Sequence, residues 1–188
     1  KFPGLPMALQ KASTSGSAEL QANWKGGWQD PVLQVRLDAP SLDWQPAPKI
    51  TATATPANLP SLVKIRALQT TLAGRLSQAQ LNAQGRIELN QRRYALQLGA
   101  QGGRLNSFTW QGLLEQFSLS VEDPALGAGA WRLATHNNVP FKWTHTKAGG
   151  AFESGAGEAV LSAPAGKAPA TPASQATLAW QPVRWRPG

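Results

Sequence analysis

The sequence predicts an all-β protein with a mostly antiparallel β-sheet and at most one short helix. Two observations carry this prediction. Many segments alternate polar and apolar residues with a period of two, which is the period of a β-strand. The chain also holds 18 glycines and 15 prolines among 188 residues, so turns are frequent and long helices are disfavoured.

The clearest strand is Gln78–Leu89. Every second residue is polar and the residues between are small or apolar, without a break over the whole segment. At about 3.3 Å per residue this strand reaches roughly 40 Å, well beyond a usual strand, and it has one polar and one apolar face. Ser17–Lys25 repeats the design. Such long one-sided strands need an apolar cover.

The rest of the chain reads as further strands separated by turns. Strands are predicted over Leu33–Leu37, Leu42–Trp44, Lys49–Thr55, Tyr94–Ala100, Leu105–Leu114, Phe117–Val121, Trp131–Leu133, Phe141–His145, Glu158–Ser162 and Ala176–Trp180. Breaks are predicted at Gly26–Pro31, Ala39–Pro40, Asn90–Gln91, Gly102–Gly103 and Asp123–Pro124. Ala57–Gln69 fits a short helix and a strand equally well. Residues 164–174 are predicted to form a flexible loop.

Residues 1–188 are predicted to form a single β-rich segment of a longer protein. The chain opens at Lys1 rather than Met and closes just after a strand-like segment. No apolar run approaches the roughly 20 residues that span a bilayer, and no signal peptide is visible. Cysteine is absent, which excludes disulfides, thiolate metal sites and cysteine nucleophiles.

A weak internal repeat supports stacked hairpins. Ala-x-Leu-x-Ala occurs at residues 18–22 and 79–83, with a related Ala-x-Leu-x-Trp at 176–180. The spacing is too irregular for a strict solenoid. With ten to twelve strands and almost no helix, two architectures are open: two sheets packed as a sandwich, or one sheet that curls and leaves an apolar trough.

Charge and motifs argue against nucleic-acid binding and against catalysis. The formal net charge of +8 suits polyanions or anionic lipid headgroups, but Arg92–Arg93 is the only adjacent basic pair, so no nucleic-acid partner is predicted. The only histidines, His136 and His145, lie beside separate strands. The sequence has no phosphate loop, no Gly-x-Ser-x-Gly elbow and no metal-ligand spacing. We therefore predict a non-enzyme without catalytic residues, metal or cofactor.

Two stretches resemble the AsmA-like family of bacterial envelope proteins, and its TamB-like members in particular. The first is Ala-x-Leu-x-Ala-x-Trp, then Gly-Gly-Trp-x-Asp-Pro, then Leu-x-Val-x-Leu, within Ala18–Leu37. The second is Trp-x-Gly-x-Leu, Phe-x-Leu and Trp-x-Leu, within Trp110–Leu133. The likeness covers Ala18–Trp143 and has no catalytic motif. The Ala148–Ser174 segment departs from it.

The resemblance implies a location and a function. Proteins of this family are anchored in the inner membrane, cross the periplasm as a gutter-shaped sheet and are linked to phospholipid transport toward the outer membrane. An older view has them assist outer-membrane protein assembly with a barrel partner of the TamA type. The resemblance therefore implies an elongated, curled, gutter-shaped and mostly antiparallel β-sheet with a hydrophobic concave groove. The chain would be a periplasmic section of such a conduit, lacking the anchor and the partner-binding end.

The apolar positions of the strands are the candidate site, because acyl chains need a wall without unpaired charge. They are Leu20, Ala22, Trp24, Leu33, Val35, Leu37, Leu81, Ala83, Ile87, Leu89, Tyr94, Leu96 and Leu98. The same residues would also suit a plain sandwich core. The eight tryptophans are compatible with rims where an apolar body meets an aqueous edge.

Three function classes follow from the sequence. One is a protein that holds or conducts phospholipids through contact with their acyl chains. Another is a non-catalytic scaffold or chaperone that offers strand edges to outer-membrane proteins. The last is a carbohydrate-binding sandwich with two or three coplanar exposed tryptophans.

Overall fold

The computed structural model describes residues 13–45, 62–146, 149–164 and 174–186. Within these ranges twelve strands form one antiparallel sheet that is curled and not closed. The strands are β1 (Ser13–Lys25), β2 (Val32–Gln45), β3 (Val63–Arg75), β4 (Gln78–Leu89), β5 (Arg92–Asn106), β6 (Thr109–Glu122), β7 (Trp131–Thr135), β8 (Val139–Thr146), β9 (Gly149–Ser154), β10 (Gly157–Ser162), β11 (Gln175–Trp180) and β12 (Val183–Trp185). The one helical element in these ranges is a 3-10 turn at Pro124–Leu126. The predicted fold class is confirmed.

The topology is an up-and-down meander. Strands β1 to β6 lie in chain order, each antiparallel to the next. Beyond β6 the strands come in collinear pairs: β8 faces the first half of β6 and β7 faces the second half. In the same way β9 and β10 face β8 and β7, and β12 and β11 face β9 and β10. The last six strands therefore act as three long interrupted strands.

The interruptions of these three strands lie side by side and crease the sheet. They fall at residues 136–138, 155–156 and 181–182. Across the crease the Gly155 N–H donates to the Pro140 carbonyl at 2.7 Å. The His136 N–H donates to the Glu158 carbonyl at 2.9 Å, and the Asn137 side chain accepts from the Glu158 N–H at 2.8 Å. These hydrogen bonds pair several of the backbone polar groups at the crease even though the ladder stops.

A single layer of strands leaves little of the chain buried. Among the described residues the buried apolar side chains are Ala39, Ala100, Val139 and Ala159, apart from Pro31 in the β1–β2 turn. A two-sheet sandwich of this size would bury large aliphatic and aromatic side chains between its layers. The sandwich alternative is therefore wrong, and the apolar residues form a face rather than a closed core.

The longest predicted strand is confirmed without change. Gln78–Leu89 is β4 from end to end, and it pairs with β3 on one side and β5 on the other. The predicted Asn90–Gln91 turn joins β4 to β5, with positive φ angles of 50° and 66°. Two positive φ angles in a two-residue connection match the hairpin turn whose twist suits the flanking strands.

Two predicted breaks, Ala39–Pro40 and Gly102–Gly103, are wrong because a strand continues through each of them. Ala39–Pro40 does not end a strand, and Leu42–Trp44 is not an edge piece: both lie within β2, between β1 and β3. The pairing of β1 with β2 shifts register between Ser17 and Glu19, opposite Pro40, and a proline without an N–H is tolerated at such a bulge.

Gly102–Gly103 is likewise no turn, since β5 continues through it to Asn106. The chain reverses instead at residues 107–108, so the predicted strand Leu105–Leu114 spans the end of β5 and the start of β6. A side chain at Gly102 would collide with the backbone of Gly112 on β6, which explains why glycine continues the strand here.

The ambiguous stretch Ala57–Gln69 is strand over its described part, where β3 begins at Val63. The predicted strand Lys49–Thr55 and all but the two ends of the predicted loop 164–174 lie outside the described residues. Strand β9 was not predicted, because Gly149 and Gly150 weaken the strand signal. Within the described ranges no helix is long and apolar enough to cross a membrane.

Candidate functional site

Strand register brings the apolar residues of many strands onto one side of the sheet, the apolar face. Residues paired across neighbouring strands point to the same side, so each row of partners can be followed across the sheet. One row is Ala22, Val35, Leu72, Leu81, Ala100, Leu114 and Val139. The next is Leu20, Leu37, Thr70, Ala83, Leu98 and Phe117. A third is Leu96, Leu119, Leu133, Leu161 and Ala176.

All thirteen predicted groove residues lie on this face. Leu33 pairs with Trp24, Tyr94 pairs with Ile87, and Leu89 follows Ile87 by two positions on β4. Most of the thirteen are half-buried, while Leu20 at the free β1 edge is 67% exposed. The sheet thus covers its apolar face only in part. Whether these residues line a lipid groove stays a prediction.

Charge is confined to the margins of the apolar face. In the described ladders the charged side chains that register places on this side are Arg92 and Arg104, at opposite ends of β5. The other charged residues of the strands point to the opposite side or sit at bulges. No carboxylate or ammonium group therefore interrupts the middle of the apolar face.

Small residues on the apolar face do not all leave open space. A methyl group added at Gly85 would lie 3.2 Å from the Leu68 side chain, and one at Gly112 would lie 2.6 Å from the Phe141 ring. These larger neighbours lean over the glycines and fill the space above them. Large side chains beside glycine restore packing that the strand would otherwise lack. The free surface therefore lies above the Leu, Val and Ala rows.

The opposite side of the sheet, the polar face, is rich in amide side chains. The Gln84 amide donates to the Gln69 amide oxygen at 2.7 Å on the neighbouring strand. Other amides of β4, β5 and β6 share this side: Gln78, Gln80, Asn82, Gln97, Gln101, Gln111 and Gln116. The two sides of the sheet therefore differ: this side is polar and exposed, and the other side is the apolar face.

Sequence reasoning missed a cleft of about 690 Å³ on the polar face at the crease. Its walls include Gln101, Gln111, Lys142 and the ion pair of Arg184 with Glu153 at 3.5 Å. Its polar and charged lining suits water or hydrophilic groups rather than an acyl chain. No local sequence signal marks it, because residues of six strands and of the interruptions at 155–156 and 181–182 build it together.

A polar cluster ties three strand ends together around Asp30. Its carboxylate accepts from the Ser77 N–H at 2.8 Å and from the Ser77 hydroxyl at 2.9 Å, and Arg75 lies 3.8 Å away. The Arg104 guanidinium donates to the Gln29 carbonyl. The hydrogen bonds from the Ser77 backbone and hydroxyl, with smaller contributions from Arg75 and Arg104, hold the pKa of Asp30 below its ordinary value against a small opposing effect of burial.

Exposed aromatic side chains gather at the same ends of the strands, which we call the aromatic end. It comprises the strand ends with the β1–β2, β3–β4 and β5–β6 turns. The exposed aromatic residues of the described chain all lie there: Trp24, Trp28, Phe108, Trp110, Trp143, Phe152 and Trp185. Trp110, Trp143, Phe152 and Trp185 form one row across four strands. The tryptophan-rich composition is compatible with aromatic rims, but it does not indicate that the exposed rings lie at one end of the strands.

The described residues offer nothing that resembles a metal centre. They contain no group of three or more His, Asp or Glu side chains placed to hold a metal ion. His136 lies at the crease and His145 lies on β8, where its ring is 5.9 Å from that of Trp143.

The candidate functional surfaces of the described chain are therefore the two faces and the two ends of the sheet. No family model, no curated protein and no solved structure matches this chain.

Proposed function

We propose that this chain is a section of a periplasm-spanning bacterial envelope protein that holds or conducts phospholipids between the inner and outer membranes. The acyl chains would lie on the apolar face. An inner-membrane anchor and an outer-membrane barrel partner of the TamA type would belong to parts of the protein outside this sequence. The observation that carries the proposal is the seven-strand apolar row from Ala22 to Val139, which no second layer covers within the described ranges.

The electrostatics of the apolar face favour hydrocarbon over a polar ligand. Arg92 and Arg104 stand at its two margins, and the rows between them are aliphatic, aromatic or glycine apart from Thr70, Thr135 and Ser154. An unpaired charge in contact with an acyl chain is very costly, so its absence from the middle of the face is what a lipid path requires. A polar ligand would instead need donors and acceptors there.

The dimensions also suit phospholipid. A 12-residue strand such as β4 is roughly 40 Å long, whereas one leaflet of a bilayer contributes about half of a hydrocarbon core of about 30 Å. An acyl chain thus fits across the face with its headgroup at a margin. Neighbouring strands stand about 4.8 Å apart, so the rows give a continuous apolar path perpendicular to the strands.

Native mass spectrometry of protein purified from cells without detergent tests this proposal. We expect phospholipid to remain bound to the wild-type chain. Leu81→Arg, at the centre of the apolar face, should lose it, whereas Gln80→Arg should retain it because its side chain points to the polar face. Lipid-free wild-type protein, or equal loss in both variants, would contradict the proposal.

The alternative is a non-catalytic scaffold or chaperone for outer-membrane proteins, and one observation favours it. Among the described strands β1 pairs with β2 alone, so 13 residues present an open edge. Glu19 and Lys25 are its only charged residues, which is little protection against pairing with another strand. A peptide from an outer-membrane barrel strand should then protect β1 amides from hydrogen exchange. Protection elsewhere, or none, argues against this function.

The close tryptophan pair of the described chain does not favour the carbohydrate-binding class. This class requires coplanar exposed tryptophans as platforms for sugar rings. Trp24 and Trp28 form the one close tryptophan pair in the described chain, with ring centroids 5.0 Å apart and planes tilted by 52°. Such a pair is not a flat platform.

A further inference from the structure

The aromatic end exposes a large amount of aromatic ring surface to water. Trp28 is 84% exposed and Phe108 is 62% exposed, both in turns beyond the ends of the strands. Behind them lies the row of Trp110, Trp143, Phe152 and Trp185, whose exposures run from 38% to 57%. With strands about 4.8 Å apart, this row alone extends over roughly 14 Å. Contiguous exposed apolar surface normally marks an interaction site.

At the opposite end, which carries the β4–β5 turn and the segment after β6, the tryptophans are half-buried instead of exposed. Trp44 and Trp131 lie there half-buried, with their indole N–H groups inside the protein. The large exposed apolar side chains at that end are aliphatic, as at Leu126, which is 56% exposed. Exposure of aromatic rings is therefore specific to one end and is not a general consequence of the single-layer fold.

Charge follows the same asymmetry. The described ionic residues of the aromatic end are the cations Lys25, Arg75, Arg104, Lys142, Arg184 and Arg186 and the carboxylates Asp30 and Glu153. At the opposite end four carboxylates, Asp43, Glu88, Glu122 and Asp123, balance more of the positive charge of Lys64, Arg66, Arg86, Arg92, Arg93 and Arg132. Ion pairs form at both ends, such as Arg66 with Asp43 at 2.6 Å and Arg184 with Glu153 at 3.5 Å. The aromatic end therefore carries an excess of positive charge beside its exposed rings.

We propose that the aromatic end docks on the surface of an anionic phospholipid bilayer. Tryptophan and phenylalanine rings favour the boundary between headgroups and acyl chains, where an apolar body and a polar edge are both satisfied. Lysine and arginine beside them meet the negative surface potential of acidic lipids. An anionic bilayer matches both the exposed rings and the excess of cations at this end. A neutral or cationic bilayer would match the rings but not the cations.

This inference does not depend on lipid transport along the apolar face. The docking residues chosen for the test, Trp28 and Phe108, lie in turns, whereas the proposed path lies over the middle rows of the apolar face. A chain that docks on membranes without holding acyl chains would refute the first proposal alone. A chain that holds acyl chains but ignores vesicles would refute the second alone.

Vesicle flotation with the full chain tests the docking. The vesicles are phosphatidylcholine alone and phosphatidylcholine mixed with phosphatidylglycerol. We expect the wild-type protein to float with the mixed vesicles, and to bind less at high salt because exposed charges are screened. The double variant Trp28→Ser/Phe108→Ser should bind at least roughly tenfold more weakly, since each ring buries apolar surface at the membrane. Both residues lie in exposed turns, so the fold should remain intact.

Matched controls lie at the opposite end. Leu126→Ser removes a side chain of comparable exposure and should leave binding unchanged. Lys25→Gln and Arg186→Gln should weaken binding to mixed vesicles, whereas Arg86→Gln, exposed on the polar face near the opposite end, should not. Equal loss in the controls would show non-specific adsorption and overturn the proposal.

Three other outcomes would also overturn the proposal. The first is an absence of flotation, and the second is equal flotation with neutral vesicles, which removes the role of charge. The third is wild-type self-association, measured by sedimentation velocity, that the double variant abolishes while vesicle binding stays the same. That result would make a second copy of the chain the occupant of the aromatic end.

Discussion

Asp30 and Ser77 are 47 residues apart in sequence and joined by two hydrogen bonds, one from the Ser77 N–H and one from its hydroxyl. Asp30 lies in the β1–β2 turn and Ser77 in the β3–β4 turn. The contact is supported by the backbone bond from the Leu76 N–H to the Pro31 carbonyl at 2.9 Å. Among the described residues no second layer packs on the sheet, so such contacts between turns act together with the β2–β3 ladder to fix the relative positions of the two hairpins at this end.

Asp30→Asn should therefore destabilise the chain at neutral pH. The carboxylate is favoured in the folded state, where the pKa of Asp30 is held below its ordinary value. A depressed folded pKa contributes stability above about pH 4, and this contribution disappears as pH falls through the folded pKa. Urea unfolding of wild type and variant should show a difference at neutral pH that shrinks in acid.

Glu115→Gln serves as the control for this prediction, since Glu115 is an exposed residue at the β6 bulge. It should change stability little at either pH. A pH-independent difference between wild type and Asp30→Asn would mean that the Asp30 carboxylate does not act through its charge.

Ala67→Gly should stabilise the protein or leave its stability unchanged. Ala67 is exposed and has a φ angle of +50° at the register shift between β3 and β4. That region costs an L-residue roughly 1 kcal/mol, which glycine avoids. Ala73→Gly is the matched control on the same strand, also exposed, and should lose about 0.5–1 kcal/mol. Similar losses at both positions, measured by chemical denaturation, would contradict the role of backbone strain at Ala67.

Gly157→Ala should destabilise the sheet by about 1–3 kcal/mol, the usual cost of overpacking. Gly157 is buried beneath the Trp180 ring on β11, and an added methyl group would collide with that ring. Gly27→Ala is the control, because nothing lies within 4 Å of its added methyl group, and it should change stability by less than about 0.5 kcal/mol. In a Trp180→Ala background the Gly157→Ala cost should largely vanish. A cost that persists there would point to the backbone instead of the ring.

Alternation alone predicted the strands that matter most for the candidate site. β4 matches its predicted bounds, because period-two patterning over 12 residues leaves little freedom in register or length. The predicted breaks at Pro40 and Gly102 are wrong, although such residues often end isolated strands. Inside this wide sheet a bulge accommodates Pro40, and close approach of a neighbouring backbone requires glycine at Gly102. β9 escaped notice because its glycines give a weak signal, and the Trp143 side chain lies against Gly150 to support it.

Features assembled from distant segments could not be read from the sequence. The Asp30–Ser77 contact, the cleft at the crease and the aromatic end all depend on which turns lie at the same end of the strands. That arrangement follows from the pairing order. Local patterns fix which residues face the same side of one strand, but not which turns become neighbours.

The last prediction separates the two faces of the sheet in living cells. A charge at Leu81, Ala83 or Leu96 should block lipid passage, because it would contact hydrocarbon when lipid is bound. The same substitutions should lower the free energy of unfolding by only about 1 kcal/mol or less, because a long charged side chain on a half-exposed face can reach water. Charge substitutions at Gln80, Asn82 or Gln97 should be nearly silent, because these residues point to the polar face.

The measurement for this prediction is outer-membrane integrity in cells that carry each substitution in the full-length protein, without redundant transporters. Leu96→Glu and Gln97→Glu make the sharpest pair, since they are neighbours on β5 with opposite orientations. Protein amounts must be matched, so that a folding defect is not mistaken for a transport defect. A defect with Leu96→Glu and none with Gln97→Glu is expected. Equal defects would leave lipid passage without support and favour the scaffold function, in which strand edges matter and the identity of the face does not.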